Sequence, residues 1–178
     1  ERDEALALKW LTLSAQGGDP VGQRNLAALY FKGEGVEQDY AQAAELYRKA
    51  SEQGDAPAQD MLSWMLLEGE VMPADVVAAR EWAEKAAEKD IASSMTRLGM
   101  IYHNALGVER DPALAASWWI KAAELGDFDG KAMLGAVTGR AVGERATASV
   151  VGAVLAAERG ARVLRVHDVA ATRDGLRV

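Results

Sequence analysis

Residues 39–54, DYAQAAELYRKASEQG, decide the fold, because the same pattern returns at residues 75–90 and again at residues 111–126. The later copies read DVVAAREWAEKAAEKD and DPALAASWWIKAAELG. Each copy opens with an aspartate that can cap a helix, and the first and third close with a glycine suited to a helix C-terminus. The copies are 36 residues apart. A fixed period of this length indicates an array of repeated structural units.

A further helix precedes this one in every period. Its apolar stripe, Leu26, Leu29 and Tyr30, returns in the two following periods with the i, i+3, i+4 spacing of an amphipathic helix. Glycines at 33, 35 and 107 mark the turn between the two helices. Small residues sit beside the stripe: Ala27, Ser63 and Gly99. We expect a second helix to approach closely at these small residues.

Two columns of the period are predicted to form the core. The first column is Leu26, Leu62, Leu98 and Leu134, and the second is Trp10, Trp82 and Trp118. A single helical hairpin cannot bury its own apolar stripe, so neighbouring repeats must cover it. The predicted fold is therefore all-α. It is an α/α right-handed superhelical solenoid of 36-residue helix-turn-helix repeats, followed by a C-terminal helix and a short strand-like tail.

The amino-acid composition excludes several classes of function. The chain has 178 residues, a net charge of −7, two histidines and no cysteine. Thiolate metal sites and thiol nucleophiles are thereby excluded, and the negative charge argues against a broad surface for nucleic acid. No stretch has the length and apolarity of a membrane span. We predict no cofactor, no metal site, no nucleic-acid partner and no membrane partner.

The motifs LGMIY at 98–102, GEGV at 33–36 and SWWIKAAELG at 117–126 resemble the Sel-one-like repeat family, a relative of the tetratricopeptide repeats. The resemblance covers residues 1–128, as a half repeat and three full repeats: 1–19, 20–55, 56–91 and 92–127. It implies a non-enzymatic adaptor or scaffold for protein–protein interaction, with no catalytic residues. The third segment departs most, with Asp90 in place of the terminal glycine, so we expect its hairpin to end loosely.

Residue types that differ between repeats on one face of the first helices are the candidates for binding a partner. They lie on the predicted concave face and are Arg24, Phe31, Asp60, Trp64, Met100 and His103. Alternatively, the apolar members simply fill gaps between stacked repeats. His103 is expected to face solvent or to be hydrogen-bonded rather than to bind a metal, because no second histidine or cysteine stands at ligand spacing. The acidic surface favours a basic partner.

The segment 129–178 differs from the rest, since it carries a net charge of +3 and no aromatic residue. We predict a helix at 144–159, a short strand at 162–167 and a helix start at Asp168. Residues 131–178 resemble the C-terminal end of the dihydropteroate synthase barrel, which makes folate precursors from a pterin pyrophosphate and p-aminobenzoate. The resemblance implies pterin and phosphate binding by three residues: Lys131, Arg165 and His167.

The synthase resemblance is incomplete, because the earlier strands of the barrel are missing and Asp129-Gly130 replaces the usual Ser-Arg before Lys131. We therefore expect no synthase activity and no converged pocket at Arg165 and His167. Alternatively, residues 129–143 serve as the first helix of another repeat, because Leu134 continues the register. The leading hypothesis is an interaction scaffold, and the competing one is an inactive fragment of the folate enzyme. The sequence is compatible with a location in the bacterial periplasm or in the cytoplasm.

Overall fold

A computed structural model of the chain describes residues 2–138, and all regular secondary structure in that range is helical. Its helices are α1 Arg2–Gln16, α2 Pro20–Lys32, α3 Tyr40–Glu52, α4 Ala56–Glu68, α5 Val76–Ala87, α6 Ala92–His103, α7 Pro112–Glu124 and α8 Phe128–Thr138. The predicted all-α repeat fold is thereby confirmed. The predicted helix at 144–159, the strand at 162–167 and Asp168 lie outside the described residues.

Aspartate caps begin the second helix of every full repeat, as predicted. The carboxylates of Asp39, Asp75 and Asp111 each accept a hydrogen bond from the backbone N–H three residues later, at 2.9–3.0 Å. These bonds satisfy donors that a helix N-terminus leaves unpaired. The same device begins two first helices, since the backbone N–H of Gly22 donates to Asp19 and that of Ala58 donates to Asp55.

Left-handed residues separate consecutive repeats. Gly54 and Gly126 have φ angles of 89° and 92°, and Asp90 adopts the same region with a φ of 61°. Asp90 donates its backbone N–H to the carbonyl of Ala87, just as Gly54 donates to Ser51. The expectation that the repeat 56–91 ends loosely is therefore wrong. Asp, although disfavoured in this region, is one of the non-glycine residues that visit it.

The described chain forms two compact units, Glu1–Leu98 and the part from Gly99 onward, and the division falls within α6. In the N-terminal unit Leu26, Leu62 and Leu98 are buried, and none exposes more than 5% of its surface. In the C-terminal unit Leu134 of α8 is buried with Ala115, Ala116 and Trp119 of α7. The leucine column is thus core, as predicted. Up to residue 138, the helix α8 continues the first-helix pattern.

Close approach of helices occurs at the small residues. The side chain of Ser63 is fully buried, and its hydroxyl donates a 2.7 Å hydrogen bond to the carbonyl of Ala79. At Gly99 a Cβ atom would lie only 2.2 Å from Nε1 of Trp119. The indole therefore occupies the space that any larger residue at 99 would need. This packing agrees with the prediction of close approach at Ser63 and Gly99.

The tryptophan column behaves differently from the leucine column. Trp82 is partly buried and packs against Leu62, Leu66 and Ala79. Trp10 exposes 64% of its surface, so the prediction that it belongs to the core is wrong. Trp82 is covered by the first helix of its own repeat, α4, whereas within the described residues no first helix covers the corresponding face of α1.

Two glutamines join neighbouring helices inside the N-terminal unit. The amide of Gln23 donates to the carbonyl of Ala15, and the amide of Gln59 donates to the carbonyl of Ser51 at 3.0 Å. Both glutamines are buried, so these bonds satisfy amide N–H donors that would otherwise be costly to enclose. Oε1 of Gln59 has no hydrogen-bond partner among the described residues. The helices of the described range are too short or too polar to cross a membrane.

Candidate partner-binding surface

The six residues predicted to bind a partner fall in both compact units. Four of them, Arg24, Phe31, Asp60 and Trp64, belong to the N-terminal unit, and Met100 and His103 belong to the C-terminal unit. Within each group, some side chains are available to a partner and others are already used within the fold.

Arg24 is used within the fold. Its guanidinium lies 3.0 Å from the carboxylate of Asp55, whose side chain is almost fully buried. Asp55 is also the N-cap of α4, so Arg24 connects α2 to the first turn of α4. A charge-assisted contact of this kind orients the two helices and occupies Nη1 of the guanidinium.

The carboxylate of Asp60 is bonded to three side chains in the first turns of α6. Its carboxylate accepts hydrogen bonds from Ser93 at 2.9 Å, from Ser94 at 2.5 Å and from Arg97 at 2.6 Å. The side chain of Arg97 is only 11% exposed, so this ion pair lies largely out of solvent. Asp60 therefore ties α4 to α6. The N-terminus of α6 has Ile91 where the first helices of two other repeats have a capping aspartate, Asp19 and Asp55.

The rings of Phe31 and Trp64 are in contact. Their ring centroids are 5.8 Å apart with an interplanar angle of 75°, which is the edge-to-face arrangement that aromatic rings prefer. Both rings are partly buried against the core of the N-terminal unit and partly open to solvent. They connect the end of α2 to the middle of α4. Partner contact and gap filling between repeats are both compatible with this half-buried position.

Tyr40 completes this group of rings and was not predicted. Its ring centroid lies 5.3 Å from that of Phe31, and 41% of its surface is exposed. We call Phe31, Tyr40 and Trp64 the aromatic cluster. The turn between α2 and α3 folds Tyr40 back beside Phe31, and the amide of Gln38 fixes that turn by donating to the carbonyl of Phe31. The sequence signal that could have identified Tyr40 is its position across a glycine-containing turn from another aromatic residue, Phe31.

Two acidic turns flank the aromatic cluster. Residues 32–39 carry three carboxylates and one lysine, and residues 68–75 carry three carboxylates and no basic residue. All six carboxylate residues are exposed: Glu34, Glu37, Asp39, Glu68, Glu70 and Asp75. Val71 and Met72 of the second turn pack against the same core cluster as Phe31 and Trp64. The rings and the carboxylates thus share one edge of the N-terminal unit.

In the C-terminal unit Met100 packs against the buried cluster of Ala115, Trp119 and Leu134. The ring of His103 lies 5.4 Å from that of Trp119, and its Nδ1 atom is buried with no hydrogen-bond partner among the described residues. The expectation that His103 faces solvent or is hydrogen-bonded is wrong for this nitrogen.

Of the residues implied by the synthase resemblance, only Lys131 is described. Its Nζ atom lies 5.4 Å from the ring centroid of Phe128, one turn earlier in α8. Arg165 and His167 lie outside the described residues. Within residues 2–138 no three His, Asp or Glu side chains are grouped in a way that could hold a metal ion.

Two ionisable side chains have a displaced pKa. The hydroxyl of Ser14 and the backbone N–H of Gly22 donate to Asp19 and lower the pKa of that carboxyl below its usual value. Burial raises the pKa of the Tyr47 phenol, since an apolar environment disfavours its charged form. Asp19 serves helix capping and Tyr47 serves the core, so neither shift points to acid–base chemistry.

Helix pairs of constant length, repeated capping aspartates and a buried leucine column define a helical-hairpin repeat protein. The Sel1 repeat family model matches this chain four times, at residues 1–19, 20–55, 56–91 and 92–127. These matches cover more than half of the sequence. The chain therefore belongs to the Sel1 repeat family.

Solved structures agree with this membership. A Sel1 repeat protein from Oxalobacter formigenes is 29% identical, with a TM-score of 0.71 over 87% of this chain. A protective antigen of uropathogenic Escherichia coli strains with an SLR fold is 33% identical, with a TM-score of 0.74 over 99% of this chain. Helicobacter pylori cysteine rich protein B, at 18% identity and a TM-score of 0.56, shares the fold.

One curated relative is of another kind. Dihydropteroate synthase of Haemophilus influenzae is 50% identical over 42 residues, which is 24% of this chain and 15% of the enzyme. This chain also spans only 64% and 36% of the lengths of the Oxalobacter and Escherichia structures. The similarity to the synthase is thus a short partial match, whereas the Sel1 repeats extend over most of the sequence.

Proposed function

We propose that this chain is a non-enzymatic scaffold for protein–protein interaction that binds a peptide segment of its partner on the first helices of the repeats. The observation that carries the proposal is the aromatic cluster. Half-buried aromatic rings held by a rigid core are the residues that most often dominate protein interfaces, because they bury large apolar area at little cost in side-chain entropy.

The six candidate residues receive different roles in this proposal. Phe31 and Trp64 contact the partner directly. Arg24 and Asp60 act mainly through the ion pairs to Asp55 and Arg97, which hold the helices that carry the rings. Met100 and His103 offer a contact surface on the C-terminal unit.

Trp64→Ala tests this proposal. We expect binding of a partner peptide to weaken at least tenfold, because truncation of a central aromatic typically costs 2 kcal/mol or more. Helicity by circular dichroism and the urea midpoint are measured on the same samples. Tyr40→Ala is the companion variant, since the more exposed ring contributes less to the fold. Loss of the folded state in Trp64→Ala, together with unchanged binding by Tyr40→Ala, would contradict the proposal.

A second candidate function is supported by the 42-residue match to dihydropteroate synthase. Here the chain comprises a repeat region, 1–128, and a C-terminal segment, 129–178, which retains recognition of a pterin pyrophosphate through Lys131, Arg165 and His167. Isothermal titration of the full chain with a pterin pyrophosphate tests this candidate. Binding that disappears in Arg165→Ala would favour this second candidate function. Absence of a heat of binding would refute it and leave only the scaffold function.

A further inference from the structure

Two of the chain's other tryptophans, Trp82 and Trp118, each hold a cation within the fold. The Nζ atom of Lys85 lies 4.0 Å from the ring centroid of Trp82, and that of Lys121 lies 4.5 Å from the ring centroid of Trp118. A cation over an aromatic face is attracted by the ring quadrupole, most strongly when the ring is an indole. Each of these lysines lies three residues after its tryptophan on the same helix, so the contact is intrahelical.

Trp64 has no such cation. Position 67, three residues after Trp64, is Leu67, and no lysine or arginine of residues 2–138 lies over the Trp64 ring. Its ring contact is with Phe31, which approaches edge to face. The Trp64 ring thus differs from the rings of Trp82 and Trp118 in lacking an internal cation.

The charge around the aromatic cluster is strongly negative. Only Lys32 offers a positive charge within the two acidic turns, and it lies 3.6 Å from Glu34. Glu37, Glu68 and Glu70 are exposed and form no ion pair with another described residue. Their combined field attracts cations to this edge of the N-terminal unit and repels acidic segments.

We infer that the partner segment is a basic peptide that places an arginine on the aromatic cluster and further cations against the two acidic turns. This inference rests on the proposed function and adds the chemistry of the partner. Arginine fits better than lysine because its planar guanidinium stacks on aromatic rings while still donating hydrogen bonds to carboxylates. An apolar peptide without charge would leave the acidic turns without a counterpart.

The first experiment selects peptides from a random dodecapeptide display library on the immobilised full chain, with the Trp64→Ala chain as the counter-selection. We expect the retained peptides to be enriched in arginine over the unselected library. A selected peptide with citrulline in place of arginine should bind about tenfold more weakly, since citrulline keeps the shape and removes the charge.

The second experiment locates the binding with two charge-matched double variants. Glu37→Gln with Glu68→Gln removes two carboxylates from the acidic turns, and Glu52→Gln with Glu88→Gln removes two exposed carboxylates from the ends of α3 and α5. We expect the first pair to weaken binding of the selected peptide about five- to tenfold and the second pair to change it less than twofold. Equal losses of peptide affinity in the two double variants would refute a binding site at the acidic turns.

The remaining outcomes separate the two proposals. Retained peptides that need Trp64 but are neutral or acidic would refute the basic partner and leave the proposed binding surface standing. A selection in which no peptide depends on Trp64 or Tyr40 would refute the surface itself, and the inference with it. Binding of the arginine peptide to Tyr40→Ala that is as strong as its binding to the wild-type chain would overturn the placement of arginine on the aromatic cluster.

Discussion

Gly99→Ala distinguishes packing from helix propensity, because the two effects have opposite signs at this position. Alanine is favoured over glycine inside a helix by about 1 kcal/mol. The added Cβ, however, would lie 2.2 Å from Nε1, 2.5 Å from Cδ1 and 2.6 Å from Cε2 of Trp119. Atoms cannot remain at these separations, so the indole or α6 must move.

The surroundings of Trp119 leave it little freedom to move. The indole is 1% exposed and packs with the buried residues Ala115, Ala116 and Leu134. Overpacking of a filled core typically costs about 1–3 kcal/mol. After the gain in helix propensity of about 1 kcal/mol is subtracted, we expect a net loss of about 0–2 kcal/mol in the free energy of unfolding.

Urea unfolding monitored by circular dichroism measures this loss as a lower midpoint at unchanged slope. The control is a double-mutant cycle with Trp119→Leu, which shortens the opposing side chain. In that background Gly99→Ala should become neutral or stabilising, since the clash is removed while the helix propensity remains. A wild-type background in which Gly99→Ala raises the midpoint would refute the close contact between Gly99 and Trp119.

Two further predictions concern the N-terminal unit. Leu62→Ala should lower the free energy of unfolding by about 2–5 kcal/mol, because Leu62 is fully buried and its truncation leaves a cavity. Leu13→Ala, at a half-exposed leucine of the same unit, should change this free energy far less; equal urea midpoints of the two variants would contradict the assignment of Leu62 to the core. The pKa of Asp19 should lie below its usual value, and Ser14→Ala should raise it by removing the strongest donor. Because the folded-state pKa is depressed, the stabilisation by Asp19 is present above the usual carboxyl pKa and is lost as the pH falls through the folded-state pKa; a carboxyl NMR titration with the same midpoint in both chains would contradict this account.

The sequence was sufficient to predict the helices, because each structural signal occurs several times at the same spacing. Capping aspartates, left-handed residues and the leucine column reinforce one another. The exposure of Trp10 could not be predicted from its equivalence to Trp82 and Trp118 in the 36-residue period. That equivalence predicts burial only where the neighbouring helices are equivalent too. α1 lacks, within the described residues, the first helix that packs on Trp82 in the repeat 56–91.

The candidate site was predicted less completely than the fold. Variation between repeats predicts partner binding, but Arg24 and Asp60 vary because each matches a specific neighbour at the first helix of the next repeat. Such matched pairs are a second physical cause of variation in a repeat array. Tyr40 was missed because its neighbour Phe31 lies on the other side of a turn, and only the geometry of that turn brings the two rings within 5.3 Å.

The position of the ion pairs beside the aromatic cluster constrains how binding data on this surface should be interpreted. Arg24 precedes Phe31 by two turns of α2, and Asp60 precedes Trp64 by one turn of α4. A variant that breaks either ion pair shifts the helix that carries a ring, so it weakens binding without losing a contact to the partner. The loss of affinity in such a variant should track its loss of stability. In Tyr40→Ala, which changes an exposed ring, affinity should fall while the urea midpoint stays near that of the wild type.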